Sequence, residues 1–378
     1  MKKHRVLLVV KHPVGGIRTF FRYFYRNLDR DKYHFTLIAP ALEETSVLLD
    51  DLRELDLDYV SADRNASNLE LFRLVTRVIR EQSFGLIHSH GYTAAACASA
   101  GALSMRVPHI VTSHEVLTPG QFVGLRGVLK KVVLGTILSM MDTVHCVSND
   151  ARDNLLSYLP ILKLQRRKLV AIRHGIEVGQ FLNAEKRDLR GELGLPSNSF
   201  LIGFLGRFMS PKGFRYLVEA LELLKGMDDL PKEPLVLAFS QFDGFIREEQ
   251  RDVKKRGLAE SVLFLPFVPD VASTLKGLDV VVMPSLWEAC PLLAMETMVA
   301  GVPMIGTNCI GLREVLEHTP ARIVPPRDGV DLAKALIREM TDPTTEKARA
   351  FALEAARRFE VRGYAADLER VMLKFLEK

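Results

Sequence analysis

The sequence of 378 residues has one tryptophan, four cysteines and no long apolar run. Cys97, Cys146, Cys290 and Cys309 lie far apart and form no Cys-x-x-Cys pair, which excludes a disulfide framework and a cysteine zinc site. Reduced thiols are the simplest reading. No stretch reaches the ~18 uncharged apolar residues of a membrane-spanning helix. Met1-Lys2-Lys3-His4-Arg5 resembles the basic start of a signal peptide. The apolar run behind it, Val6 to Val10, stops at Lys11 and fits a buried strand instead. The first strand leads to Pro13-Val-Gly-Gly without Gly-x-Gly-x-x-Gly, which disfavours a Rossmann dehydrogenase. There is no low-complexity segment and no sequence repeat. The expectation is a cytoplasmic protein, with peripheral contact at the cytoplasmic membrane face as its one route to lipid.

What is present is ordinary globular composition, with 48% hydrophobic and 26% charged residues, which excludes disorder. Lysine plus arginine minus aspartate plus glutamate is 51 − 46 = +5. Residues 1–180 hold 24 basic and 17 acidic residues, net +7, and residues 181–378 hold 27 and 29, net −2. An anionic partner is therefore expected in the first half. The charge is spread over several helices without an interleaved aromatic patch, so nucleic acid is not the expected partner.

Short apolar runs alternate with helical stretches. Strands are expected at Arg5–Val10, Phe35–Ala39, Leu86–Ser89, His109–Ser113, Thr143–Val147 and Leu169–Arg173, and again at Phe200–Phe204, Leu235–Phe239, Val262–Leu265, Val280–Met283 and Met304–Gly306. Such runs suit strands covered on both faces. Between them Leu69, Phe72, Val75, Thr76 and Ile79 recur at helical spacing, and Lys212–Lys225 reads as a helix with Phe214, Leu217, Val218, Leu221 and Leu224 on one face. A polar seam at Gly175–Pro196 separates the halves, and the tail from Thr345 reads as helices broken at Gly363. The βαβ rhythm predicts an α/β protein of two Rossmann-like domains facing each other across a cleft, with ligands at the carboxyl ends of the strands.

The most informative segment is Pro284-Ser-Leu-Trp-Glu288-Ala-Cys-Pro-Leu-Leu-Ala-Met-Glu296. Pro291 suits the first turn of a helix and Gly301 the position beyond its end. The helix is expected over residues 291–300, with Glu288 in the loop above it and Glu296 five residues below Pro291, ~7.5 Å along the axis. The free N–H groups of Leu292 and Leu293 lie between the carboxylates. A helix N-terminus binds phosphate, and an anion flanked by hydroxyl-seeking carboxylates is what a sugar nucleotide offers. The plain alternative, two solvated glutamates, stays open on spacing alone. The second segment is Gly206-Arg207-Phe-Met-Ser-Pro211-Lys212-Gly213, where Arg207 can grip a phosphate with its planar fork and Lys212 can act as a point charge.

Together these segments resemble glycosyltransferase family 4, the group 1 retaining glycosyltransferases of GT-B fold. The resemblance extends to Pro13-Val-Gly15-Gly16, Ile87-His88-Ser89-His90-Gly91, Val111-Thr-Ser-His114-Glu115, Val147-Ser148 and His174-Gly175-Ile176, in the family's order over residues 5–320. It implies an acceptor-side domain at 1–178, with the tail 362–378 packing back on it, and a nucleotide-sugar domain at 179–361. It implies that Glu296 holds the donor's ribose, Glu288 contacts the donor sugar, and Arg207 and Lys212 bind the diphosphate. Leu292 and Leu293 would add backbone N–H groups, His114 would approach the reacting sugar, Gly15 and Gly16 would let backbone come close, and Pro266-Phe267 would meet the base. No metal and no cofactor beyond the nucleotide-sugar donor are expected. The acceptor would be a saccharide or a lipid-linked saccharide.

There are three departures. Ala289, Cys290 and Pro291 follow the first glutamate, where relatives often have glycine. Phe239-Ser-Gln-Phe-Asp243-Gly244 replaces the usual Gly-x-Gly-Pro turn, which bears on nucleotide and sugar identity. His174 stands where asparagine is commoner. His88 and His90 alternate on a strand end; a positioning or core role is expected rather than metal. Trp287 is open between shaping the donor pocket and packing, and Cys290 is expected to pack at a helix start. Alternatives to sugar transfer are a GT-B-like phosphorylase, a nucleotide-sugar epimerase, or a non-catalytic binding subunit. Finally, Phe122–Val133 places Leu125, Val128, Leu129 and Val132 on one side of a helix and Arg126, Lys130 and Lys131 on the other. The favoured expectation is that the apolar side packs on the sheet; the other is contact with an anionic membrane.

Overall fold

A computed structural model describes residues 3–240 and 245–377. The chain divides into two units, Met1–Gly175 with Val361–Lys378, and Ile176–Glu360. The first is built on a parallel seven-stranded sheet of β1 (His4–Val10), β2 (Tyr33–Pro40), β3 (Leu57–Ala62), β4 (Leu86–His90), β5 (His109–Ser113), β6 (Thr143–Cys146) and β7 (Leu169–Ala171). The second is built on β8 (Ser199–Leu205), β9 (Glu233–Ser240), β10 (Val262–Pro266), β11 (Val280–Met283), β12 (Met304–Thr307) and β13 (Arg322–Val324). Their orders are β3-β2-β1-β4-β5-β6-β7 and β10-β9-β8-β11-β12-β13. Both orders reverse once, between β1 and β4 and between β8 and β11, and such switch points form ligand crevices beyond the strand ends.

The central strands are buried on both faces, so they appear in the sequence as unbroken apolar runs: Val6 to Val10 are all fully buried. β3 and β13 were not among the expected strands. Both are edge strands with partly exposed residues, and β13 has only three residues, so neither leaves a continuous apolar signature. In the helix Asn68–Glu81 the buried face is Leu71, Val75, Val78 and Ile79, whereas Leu69 is exposed. Its start is fixed by a capping box, with the Ser67 hydroxyl accepting from the Glu70 N–H and the Glu70 carboxylate accepting from the Ser67 N–H.

Two further expectations need correction. The helix expected from Lys212 begins at Phe214, because Gly213 takes the left-handed conformation (φ 68°) and only a 3₁₀ turn, Ser210–Lys212, precedes it. The break in the tail falls at Glu360 instead of Gly363. There the chain is extended and bridges Ile176, and the helix Val361–Leu376 runs straight through Gly363. The polar seam is structured. Its helices Val178–Leu182 and Leu189–Glu192 belong to the second unit, where Lys276 Nζ donates to the carbonyls of Leu182 and Ala184, both at 2.7 Å. The tail helix packs in the first unit, where Tyr33 donates to Glu369 at 3.0 Å.

Candidate functional site

In the second unit the expected site residues converge on the carboxyl edge of the sheet. Arg207 and Lys212 follow β8, Glu288 follows β11, and Pro266 ends β10 with Phe267 exposed after it. The loops after β8 and β11 flank the switch point. Glycine and backbone contacts weld them together. A Cβ on Gly213 would stand 1.9 Å from the Pro284 carbonyl oxygen, and the Leu286 N–H donates to the Pro211 carbonyl at 2.8 Å. Only glycine allows this approach at positive φ.

Glu288 is held from all sides. Its N–H donates to the Ile310 carbonyl at 3.0 Å, and a Cβ on Gly311 (φ 77°) would stand 2.0 Å from the Glu288 carbonyl oxygen. Its Oε1 accepts from Lys212 Nζ and from Ser285 Oγ, both at 2.8 Å. Ser285 is positioned in turn because Thr307 Oγ1 donates to its carbonyl at 2.6 Å. The Lys212–Glu288 pair is part-buried, so its charges are only partly screened by water. Arg207 is exposed and makes no ion pair among the described residues. Its neighbour Phe208 is fully buried against Phe204, Phe214 and Phe264, and this anchors the loop while leaving the guanidinium outside.

The helix after Glu288 spans Leu292–Val299, with Pro291 at its N-cap, Ala300 at its C-cap and Gly301 beyond in a left-handed conformation (φ 72°). The Pro291 side chain cannot cap its start, so among the described residues the first N–H groups, including those of Leu292 and Leu293, have no capping partner. Glu296 is half-buried within this helix. Trp287 and Cys290 are half-buried in the loop. Cys309 is buried, and burial together with the Glu288 charge pushes its thiol up to about 11, so it is an inert packing group. The turn at Phe239–Gly244 lies, from residue 241, outside the described residues.

The first unit contributes a different chemistry. Gly15 (φ 54°) caps the helix Gly16–Tyr25 after β1, and a Cβ on Gly16 would meet nothing within 4 Å, so its face is open. His114 follows β5 and is half-buried, with its Nε2 3.1 Å from His90 Nδ1. His88 and His90 are fully buried, and Tyr25 Oη bridges them at 2.8 and 2.7 Å. Burial, reinforced by neighbouring imidazoles, holds His88, His90 and His114 well below the usual histidine range. Among the described residues, no group of three or more His, Cys, Asp or Glu is arranged to hold a metal ion. Sequence reasoning missed Ser285, Tyr25, Thr112 and His145. Ser285 alone had a signal, a hydroxyl two residues after the strand end.

The helix expected to lay its apolar side on the sheet does not do so. In Gly124–Ser139 the buried residues are Gly127, Leu134, Gly135 and Leu138, whereas Leu125 is 90% exposed and Val128, Leu129, Val132 and Val133 are exposed. The helix turns its small residues inward: a Cβ on Gly135 would stand 3.0 Å from Ile161 Cγ2 in the adjoining segment Pro160–Lys168. The apolar stripe is thereby left outside.

Two parallel, doubly wound units are the build of the GT-B fold, and solved structures of that fold match the chain. The chain aligns over 98% of its length, at TM-score 0.82 and 18% identity, with the whole of the Anabaena protein HepE solved with UDP and glucose. It aligns at TM-score 0.72 and 15% identity with WaaG, a glycosyltransferase involved in lipopolysaccharide biosynthesis, over 96% of this chain and 99% of that one. The family model "Glycosyltransferase Family 4" matches residues 14–180 and "Glycosyl transferases group 1" matches residues 199–342. The chain belongs to glycosyltransferase family 4, group 1. It is 34% identical over 154 residues to a 2-deoxystreptamine N-acetyl-D-glucosaminyltransferase of Streptomyces fradiae, covering 40% of this chain and 36% of the relative. It is 25% identical over 314 residues to an alpha-maltose-1-phosphate synthase of Mycolicibacterium smegmatis, covering 78% and 79%. The chain thus spans about a third to a half of the length of several curated relatives it matches.

Proposed function

We propose that the protein transfers a sugar from a nucleotide-diphosphate sugar to a saccharide or lipid-linked acceptor, with retention at the anomeric carbon. The observation that carries this is the Lys212–Glu288 pair at the strand switch point beside an uncapped helix N-terminus. A cation and N–H groups suit the diphosphate, and the adjoining carboxylate suits the sugar hydroxyls. Arg207 and Lys212 bind the diphosphate and stabilise the charge that grows on it as the glycosidic bond breaks. The Leu292 and Leu293 N–H groups share that task, Glu288 contacts the sugar, Glu296 holds the ribose, and Pro266-Phe267 meets the base. His114 meets the reacting sugar, and Gly15 and Gly16 admit phosphate or acceptor close to backbone. Family membership favours transfer over the phosphorylase, epimerase and non-catalytic alternatives. A panel of nucleotide sugars tests the reading by thermal shift. The true donor at 100 times its dissociation constant adds ~2.7 kcal/mol of stability; no shift with any nucleotide sugar would reject it.

Metal-free transfer is part of the proposal, since Arg207 and Lys212 supply the positive charge that a metal would bring. Turnover is expected to be unchanged by EDTA. Loss of turnover with EDTA and its return with manganese would refute this.

The exposed apolar stripe favours an acceptor carried at an anionic lipid surface. No acidic residue occurs in residues 116–141 or 154–176. Exposed Leu125, Leu129 and Leu164 stand among Arg126, Lys130, Lys131, Lys163, Arg166 and Arg167. Apolar side chains that enter the interface and cations that meet the headgroups are the chemistry of peripheral binding. No helix among the described residues is long and apolar enough to cross a membrane. The protein should co-sediment with anionic vesicles at low salt, less at high salt, and not with neutral ones. The variant Leu125→Asp/Leu129→Asp should lose binding while staying folded. Equal, negligible binding to both vesicle types would point to a soluble or polymer-borne acceptor.

A further inference from the structure

The first unit holds a hydrogen-bonded chain of six buried or half-buried side chains that leads to His114. His145 Nε2 lies 2.9 Å from the Ile172 carbonyl oxygen, and His145 Nδ1 lies 3.0 Å from Thr112 Oγ1. Thr112 Oγ1 lies 2.7 Å from His88 Nε2, and Tyr25 Oη lies 2.8 Å from His88 Nδ1 and 2.7 Å from His90 Nε2. The chain ends with His90 Nδ1 3.1 Å from His114 Nε2. In-register strand pairing sets up the row: on the parallel strands β4, β5 and β6, His90 stands beside Thr112 and Thr112 beside His145.

We propose that this chain fixes His114 in its Nε2–H tautomer, so that Nδ1 offers a lone pair to a hydroxyl of the donor sugar. The inference rests on the proposed role of His114. Every direction in the chain follows from one end. A carbonyl oxygen only accepts, so His145 Nε2 carries the proton and its Nδ1 accepts. Thr112 must then donate to His145 and accept from His88 Nε2–H. His88 Nδ1 is left as an acceptor, so the Tyr25 hydroxyl donates to it and accepts from His90 Nε2–H. His90 Nδ1 therefore accepts from His114 Nε2–H, and His114 Nδ1 has no proton. All four imidazoles are neutral in this scheme, which agrees with their burial; desolvation pushes His145 down to about 4. No hydrogen-bond partner for His114 Nδ1 occurs among the described residues.

A sugar hydroxyl that donates to Nδ1 becomes more electron-rich at oxygen, which favours the positive charge that develops as the anomeric bond breaks. An N–H at that position would oppose it. Tyr25, His88, His90, Thr112 and His145 are thus positioning residues that act through His114.

The test uses protein with ¹⁵N-labelled histidine rings and no ligand. Ring ¹⁵N–¹H correlation spectra distinguish Nε2–H from Nδ1–H tautomers. The wild-type protein should show His88, His90, His114 and His145 as Nε2–H. Thr112→Val removes the hydroxyl that accepts from His88, so His88, His90 and His114 should switch together to Nδ1–H. Tyr25→Phe should switch only His90 and His114. Thr112→Ser, which keeps the hydroxyl, should restore the Nε2–H form. In kinetics, Thr112→Val should lower kcat about tenfold while leaving the donor KM unchanged, because the effect appears as charge develops. His114 as Nδ1–H in the wild type, or wild-type spectra in both folded variants, would overturn the chain. Switched tautomers with unchanged kcat would overturn its role in transfer. Absence of transfer by the wild-type protein would count against the proposed function, while the spectra would still decide the chain.

Discussion

Arg207→Ala and Lys212→Ala should each lower kcat by roughly 10²–10³-fold, about 2–4 kcal/mol of transition-state stabilisation, with far-UV circular dichroism unchanged. The two substitutions probe different states. Arg207 is exposed and makes no ion pair among the described residues, so its truncation leaves the resting protein as it was. Any rate lost there reports contact with a ligand or a transition state. Lys212 already neutralises Glu288, whose side chain is only 12% exposed. Its truncation leaves that carboxylate with Ser285 as its donor and removes the ion-pair partner of a largely buried charge. The Arg207→Ala loss should therefore come with an unchanged melting temperature, whereas Lys212→Ala should lower the melting temperature as well as kcat. Near-normal turnover in both variants would remove these residues from the diphosphate role.

The local structure around the candidate site was legible because backbone constraints mark it. Pro291 and Gly301 punctuate the helix Leu292–Val299 at its two ends, and the apolar run Val280–Met283 marks the strand before it. Strands buried on both faces likewise announced themselves, whereas the edge strands β3 and β13 did not. Contacts made across the sheet were not legible. Thr112 gains its meaning only when it stands between His90 and His145 on adjacent strands, and spacing within one strand carries no information about register to the next. The contacts of Gly213 and Gly311 were likewise silent, because what these glycines admit is the carbonyl of a loop some 70 or 20 residues distant in sequence. The helix Gly124–Ser139 misled for a related reason. An amphipathic pattern tells which residues share a face. It does not tell which face turns inward when Gly127 and Gly135 offer a closer approach than leucine does.

Glu288→Gln should leave binding of the free nucleoside diphosphate within about twofold of wild type and lower kcat by roughly 10²-fold, whereas Glu296→Gln should weaken that nucleotide by about tenfold. The distinction follows from where each carboxylate sits. Glu288 lies at the switch point, gripped at its backbone by Ile310 and Gly311 and at its carboxylate by Lys212 and Ser285, so it is rigid before ligand arrives. A rigid carboxylate serves the step in which charge moves, because no reorganisation is needed at that moment. Glu296 is one turn inside the helix and beyond the uncapped N–H groups that we assign to phosphate. A group on the far side of the phosphate from the sugar meets the ribose, and a ribose contact is the same in substrate and transition state, so it changes affinity and leaves kcat in place. Titration calorimetry with the nucleoside diphosphate separates the two. Weak nucleotide binding by Glu288→Gln with normal binding by Glu296→Gln would mean that the ligand runs the opposite way along this helix.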